Sequence, residues 1–173
     1  MPLSLYDASV PVFASMIRNM RAWLDKAAAE KDEATLAEAR LAEDMAPLTR
    51  QYQMASDTAK NAVARLVGET PPVMADTEAN FAELRERCDK TIAYLESADR
   101  ATIDGAGARE VVLRFPNGMG FRFSGADYLT RFALPNFLFH ATTAYAILRN
   151  QGVSVGKPDF LQHLGAPEEI PEA

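Results

Sequence analysis

The segment Leu129 to Leu148, LTRFALPNFLFHATTAYAIL, constrains this chain more than any other. After Arg131 it carries no charge until Arg149. Its apolar residues are spread around a helical projection instead of forming one stripe, which predicts a helix buried on most sides. A membrane span does not fit: Pro135, Asn136, His140, Thr142 and Thr143 interrupt the run, and its uncharged part is short for a bilayer. Asn136 and His140 stand four residues apart, so a helix places them on one face, one turn from each other. The expectation is the central helix of an α-helical bundle, carrying one polar spot.

The preceding sequence supplies partners for that helix. Val10, Phe13, Ile17, Met20, Leu24 and Ala27 recur at spacings of three and four, predicting an amphipathic helix to about Glu30 with Pro11 in its first turn. Ala34 to Arg40 fits a short connecting helix. Met45, Leu48, Tyr52, Ala55, Ala59, Ala62 and Leu66 form the stripe of a second long helix, with Asp44 as its expected N-cap and Gly68 its stop. Pro71-Pro72 makes the next connection extended. A third helix, capped at Asp76 or Thr77, presents Phe81, Leu84, Cys88, Ile92 and Leu95. Ser97 to Ala108 reads as loop with one short helical turn.

The period then changes from helical to alternating. Val111, Leu113 and Phe115, followed by Met119, Phe121 and Phe123, flank Asn117-Gly118, which is a hairpin signal. All six apolar side chains are expected on the helices, because an isolated two-stranded hairpin is marginal in water. Ser124 caps the fourth helix. Pro135 should kink this helix and free a carbonyl near Arg131. Val153 to Leu164 is expected to fold back through Phe160 and Leu161, leaving 165–173 as an acidic tail. The fold class is therefore all-α, a four-helix bundle with a small β-hairpin between helices 3 and 4. It is read as one domain over residues 1–164.

Charge and cysteine usage exclude several function classes. A net charge of −6 and a pI near 5.0 argue against binding nucleic acid or acidic lipid. The start MPLSLYDASV lacks the basic and long apolar regions of a secretory signal, so a bacterial-type cytoplasm is the expected compartment. Cys88 is the only cysteine and allows no intramolecular disulfide; its apolar stripe marks it as core rather than nucleophile. No phosphate-binding glycine loop, nucleophile elbow, paired-carboxylate motif or zinc-protease signature is present.

Candidate chemistry therefore falls to His140 and its neighbours. Imidazole titrates near neutral pH and binds divalent metals, so His140 reads either as a pocket group or as a buried histidine satisfied by Asn136, a tyrosine or a backbone carbonyl. Gln51 lies beside Leu48 and Ala55 and can look inward. Gln53 and Asp57 fall further round, and a solvated face accounts for all three. Tyr6 and Asp7 could close one end of the bundle, while His163, near the tail, is assigned no site role.

Three segments, SLYDASVPVF, LAEDMAPLTRQ and FSGADYLTRFALPNFLFHATTAYAILRNQGV, the last followed by GKPDF, resemble a bacterial family of unknown function in the DinB/YfiT-like superfamily. The resemblance extends to about Leu161. It implies a four-helix bundle with a long crossover between helices 2 and 3, commonly homodimeric. It also implies a metal-dependent transferase or hydrolase whose divalent ion, zinc or nickel, is held by a histidine on helix 2 and an H-x-x-x-H pair on helix 4. Here Asn136 and His140 match that pair, with an amide in first place, and helix 2 offers Gln51 or Gln53 instead of histidine. Amide oxygens are poor ligands for these ions beside imidazole. The expectation is a polar pocket formed by His140, Asn136 and Gln51, with no tightly held metal or other cofactor. A small-molecule ligand fits such a pocket; a non-catalytic interaction protein that keeps only the fold is the alternative.

Overall fold

The computed structural model describes residues 4–170; the last three residues of the expected tail, 171–173, lie outside this range. Four long helices form the bundle. They are α1 (Val10–Glu30), α3 (Leu48–Val67), α4 (Phe81–Glu96) and α7 (Leu134–Asn150), joined by the shorter α2 (Glu33–Glu38), α5 (Arg100–Asp104), α6 (Gly125–Tyr128) and α8 (Lys157–Phe160). Helix α1 packs on α4 and α7, while α3 packs on α7 and α4, so α7 touches two long neighbours. Every α1 position expected inward is buried, as are Phe81, Leu84, Cys88, Ile92 and Leu95 of α4. Gly68 closes α3 at φ 84°, a left-handed conformation that favours glycine. Among the described residues no helix is long and apolar enough to cross a membrane.

Two helix starts differ from expectation. Helix α3 begins at Leu48, not after Asp44, because Pro47 holds the preceding Ala46 away from helical geometry. Helix α4 starts after Asn80, whose side chain accepts from Glu83 N–H while Glu83 reaches back to the N–H of Ala79. Asp76, expected as the cap, is instead drawn to Arg50 and Arg87.

The hairpin pairs β1 (Glu110–Arg114) with β2 (Gly120–Ser124), antiparallel, with Val111 opposite Phe123 and Leu113 opposite Phe121. Its turn is closed by Gly118 N–H to the Phe115 carbonyl at 3.0 Å, with φ 79° at Gly118. The expected apolar face exists but is only half covered. Val111 and Leu113 are buried, whereas Phe115, Met119 and Phe121 are 41%, 67% and 53% exposed. The base of the hairpin is covered, while Met119 and Phe121 nearer the tip stay largely exposed.

Ser124 caps the next helix by accepting from Asp127 N–H. The helix from Gly125 to Asn150 is continuous, as expected, with Tyr128, Ala133 and Leu134 all in right-handed helical geometry. What the kink becomes is a π-helical turn over Leu129–Ala133, in which Leu134 N–H bonds back to Leu129 O. This widened register immediately precedes Pro135, whose ring and missing N–H disturb the regular ladder. Behind α7, Phe137 meets Phe13 edge-on at 4.9 Å, and both rings are fully buried. Phe160 of α8 stacks on Trp23, so the final segment does fold back.

Candidate functional site

The polar spot on α7 faces α3. Because the two helices run antiparallel, their residues pair in order along the groove. Asn136 Nδ2 donates to Thr58 Oγ1 at 2.8 Å, and His140 Nδ1 meets Gln51 Oε1 at 2.9 Å. Two turns before Asn136, Tyr128 Oη accepts from Arg65 Nη1 at 3.0 Å. On α3, Gln51, Met54, Thr58, Asn61 and Arg65 recur at intervals of three and four, forming a polar stripe beside the buried one. Gln51 is buried, and Asn136 and His140 are half-buried. Thr143 is not part of this group; its hydroxyl bonds back to Phe139 O within α7.

These bonds fix the tautomer of His140. Gln51 Nε2 donates to Ala46 O at 3.0 Å, so the oxygen of the amide is the atom facing the ring. An amide oxygen only accepts, so Nδ1 carries the proton and Nε2 keeps a free lone pair. Nε2 has no hydrogen-bond partner among the described residues. Burial, and then the charge of Arg50, hold His140 below the ordinary imidazole value of 6.5. The neutral form is therefore favoured in the folded protein. Its contribution to stability is present above pH 6.5 and is lost as pH falls through the lowered folded value. NMR titration of the His140 ring should give a midpoint below 6.5; one at or above that value contradicts the assignment.

A cleft of about 330 Å³ opens between α3, α7 and the hairpin, with Thr58, Asn61, Arg65, Asn136 and His140 on its polar side. Leu113, Phe115 and Phe132 make its apolar wall. Aromatic contacts run from the hairpin tip into that wall: Phe115 to Phe121, Phe121 to Phe123 and Phe123 to Phe132, at centroid distances of 5.8, 5.8 and 6.4 Å. The arrangement can bind a small molecule through an apolar body and several hydrogen bonds.

The solvated face expected for Gln53 and Asp57 is not found. Both turn toward Arg87 of α4, which is only 3% exposed. Arg87 contacts Asp57 at 3.0 Å, Glu78 at 2.8 Å and Asp76 at 3.1 Å. Asp57 also takes Lys60 at 3.0 Å, and Gln53 Nε2 donates to Glu78 Oε2 at 2.8 Å. Burial alone would raise Glu78, but hydrogen bonds from Arg87 and Gln53 outweigh it and hold the carboxyl below its ordinary range. This cluster clamps the residue 73–80 crossover to the bundle. It also pins Arg50, through Asp76, on the α3 turn that carries Gln51. A second cleft of about 290 Å³ lies over Arg87, but its guanidinium is already neutralised by carboxylates.

The remaining expected groups lie elsewhere. Cys88 is buried, and desolvation pushes its thiol up to about 12, so it is inert core. His163 Nδ1 lies 2.9 Å from the Asn19 amide, away from the cleft. Tyr6 and Asp7 both engage Arg100 of α5, away from the cleft lining.

The donors around His140 do not fit a divalent metal. One imidazole is accompanied by two amides, whose oxygens are poor ligands for zinc or nickel, and the Gln51 oxygen is already taken by His140 Nδ1. Among the described residues no three His, Cys, Asp or Glu side chains converge as ligands. This donor set is a poor match to a three-ligand zinc or nickel site.

Residues 5–161 match the family described as a domain of unknown function (DUF1993). No curated protein matches the chain. The crystal structure of a DinB family member protein from Shewanella denitrificans, at 1.83 Å resolution, is 42% identical, covers 96% of each chain and superposes with a TM-score of 0.84.

Proposed function

The chain belongs to the DUF1993 family and has the DinB-like fold, and from that premise we propose that it is a small-molecule-binding protein whose ligand occupies the cleft beside His140. The observation that carries this reading is the free Nε2 lone pair of a neutral, oriented imidazole on the cleft wall. His140 is half-buried and its Nε2 is not sealed from solvent, so a ligand donor can take the place of water there. Nε2 accepts a hydrogen bond from a ligand hydroxyl or N–H, and can act as a base toward it. Asn136 and Asn61 add further polar contacts. The reading involves no resident zinc or nickel and places the protein in the cytoplasm.

A thermal-shift screen of small metabolites tests it. Hits should raise the melting temperature of the native protein and not of His140→Ala. Without ligand that substitution should cost roughly 1–3 kcal/mol, from lost packing and an orphaned Gln51 oxygen. A library whose hits shift both proteins equally contradicts the reading.

A second reading, a homodimeric interaction protein, is favoured by the exposed Phe115, Met119 and Phe121 at the hairpin tip. Light scattering that gives twice 19.0 kDa, and reverts to that mass with Phe121→Ser, would support it. A monomer at micromolar concentration removes it.

A further inference from the structure

Resting on the small-molecule reading above, we propose that the cleft selects an organic oxyanion, a carboxylate or phosphate borne on a flat apolar body, through Arg65 and Arg114. Both arginines line the cleft, and neither has a carboxylate partner among the described residues. The carboxylate that shares the cleft, Asp57, is held by Arg87 and Lys60 at 3.0 Å each and is already offset. The wall is therefore cationic in a protein whose net charge is −6. A surface of one sign set against the overall charge concentrates ligands of the opposite sign.

Arg65 is also oriented in advance. Its Nη1 donates to Tyr128 Oη, and its guanidinium carbon sits 5.7 Å from the centre of the Tyr128 ring. Burial raises the Tyr128 hydroxyl above its ordinary value, so the phenol stays neutral and leaves Arg65 its charge. The remaining guanidinium N–H groups match the paired oxygens of a carboxylate or phosphate. Arg114 reaches the same cleft from the end of β1, beside Phe115. Phe132, stacked with Tyr128 at a centroid distance of 6.0 Å, supplies an aromatic surface for a flat ring.

The order along α3 adds a second specification. Thr58, which holds Asn136, and Arg65 are seven residues apart, roughly 10 Å along the helix. His140, with its acceptor Nε2, lies on the far side of Asn136 from Arg65. The ligand thus carries its anion at the Arg65 end and a hydroxyl or N–H donor toward His140.

Protein-observed NMR titrations of the full chain with 4-hydroxyphenylacetate, 4-hydroxyphenylacetamide and phenyl phosphate test this. The two anions should shift resonances of residues 58–65 and of Phe132 and bind about tenfold tighter than the neutral amide. Arg65→Met and Arg114→Met should each weaken the anions by about tenfold and leave the amide unchanged. Arg114 lies on the exposed hairpin, so its variant keeps the test valid if Arg65→Met fails to fold. Whichever anion binds tighter identifies the source as carboxylate or phosphate. Equal binding of amide and anions in the cleft, unaffected by Arg114→Met, overturns the selection for charge and leaves the pocket intact. Perturbation outside the cleft only, or none with any probe, overturns both.

Discussion

Replacing Arg87 by methionine should destabilise the protein by roughly 3–5 kcal/mol, the range seen when one partner of a buried ion pair is removed. The melting temperature should fall on the order of 10 °C for a chain of this size. The reason is the company left behind. Glu78, whose side chain is only 10% exposed, Asp57 and Asp76 would face one another without their shared cation. Lys60 still offsets Asp57, so the loss is less than that of three orphaned charges. Urea unfolding of the native and Arg87→Met proteins measures it. A change below about 1 kcal/mol, the level of an exposed pair, would show that the cluster contributes little.

Phe137→Ala should cost a similar amount, roughly 3–5 kcal/mol, as for other large aromatic deletions in a core. Phe137 is fully buried and meets Phe13 edge-on, fixing the back of α7 against α1. Its neighbours Asn136 and His140 project from the front of the same helix into the cleft. Loosening the back should therefore blur the front. Denaturant unfolding should show the lower midpoint with an unchanged slope. The His140 ring should open to solvent, seen as a titration midpoint moving toward 6.5 as its desolvation relaxes. A destabilised variant whose His140 midpoint is unmoved would separate the core from the site.

The legible part of this fold was the part governed by repeating pattern. The stripes of α1 and α4 followed from spacings of three and four, and the hairpin from its alternation around Asn117-Gly118. Alternation tells which side chains share a strand face, not how far that face extends over its neighbour. Phe115, Met119 and Phe121 share the face of Leu113, but Phe115 only borders the cleft and Met119 and Phe121 stay largely exposed. The π-helical turn before Pro135 has no sequence signature, because nothing in composition separates a kink from a widened register.

The site divides similarly. His140, Asn136 and Gln51 were identifiable as polar groups angled toward apolar neighbours. Thr58, Asn61 and Arg65 continue from Gln51 and Met54 at helical spacing, but as polar residues on a helix they carry no mark that separates a cleft wall from a solvated face. Arg87 falls between Leu84 and Thr91 on α4 and so lies on its inner side. An arginine in a helix ordinarily reads as solvated, and only the folded crossover brings Glu78 and Asp76 to it. Long-range charge pairing of this kind leaves no local signature.

The cleft beside His140 is the centre of this account, and soaking crystals of the protein in a fragment library examines it most directly. The account expects bound fragments between α3, α7 and the hairpin, with a hydroxyl or N–H within hydrogen-bond distance of His140 Nε2 and an apolar ring against Phe132. Fragments that collect elsewhere, over Arg87 or at the hairpin tip, while the His140 cleft holds only water across the library, would contradict it.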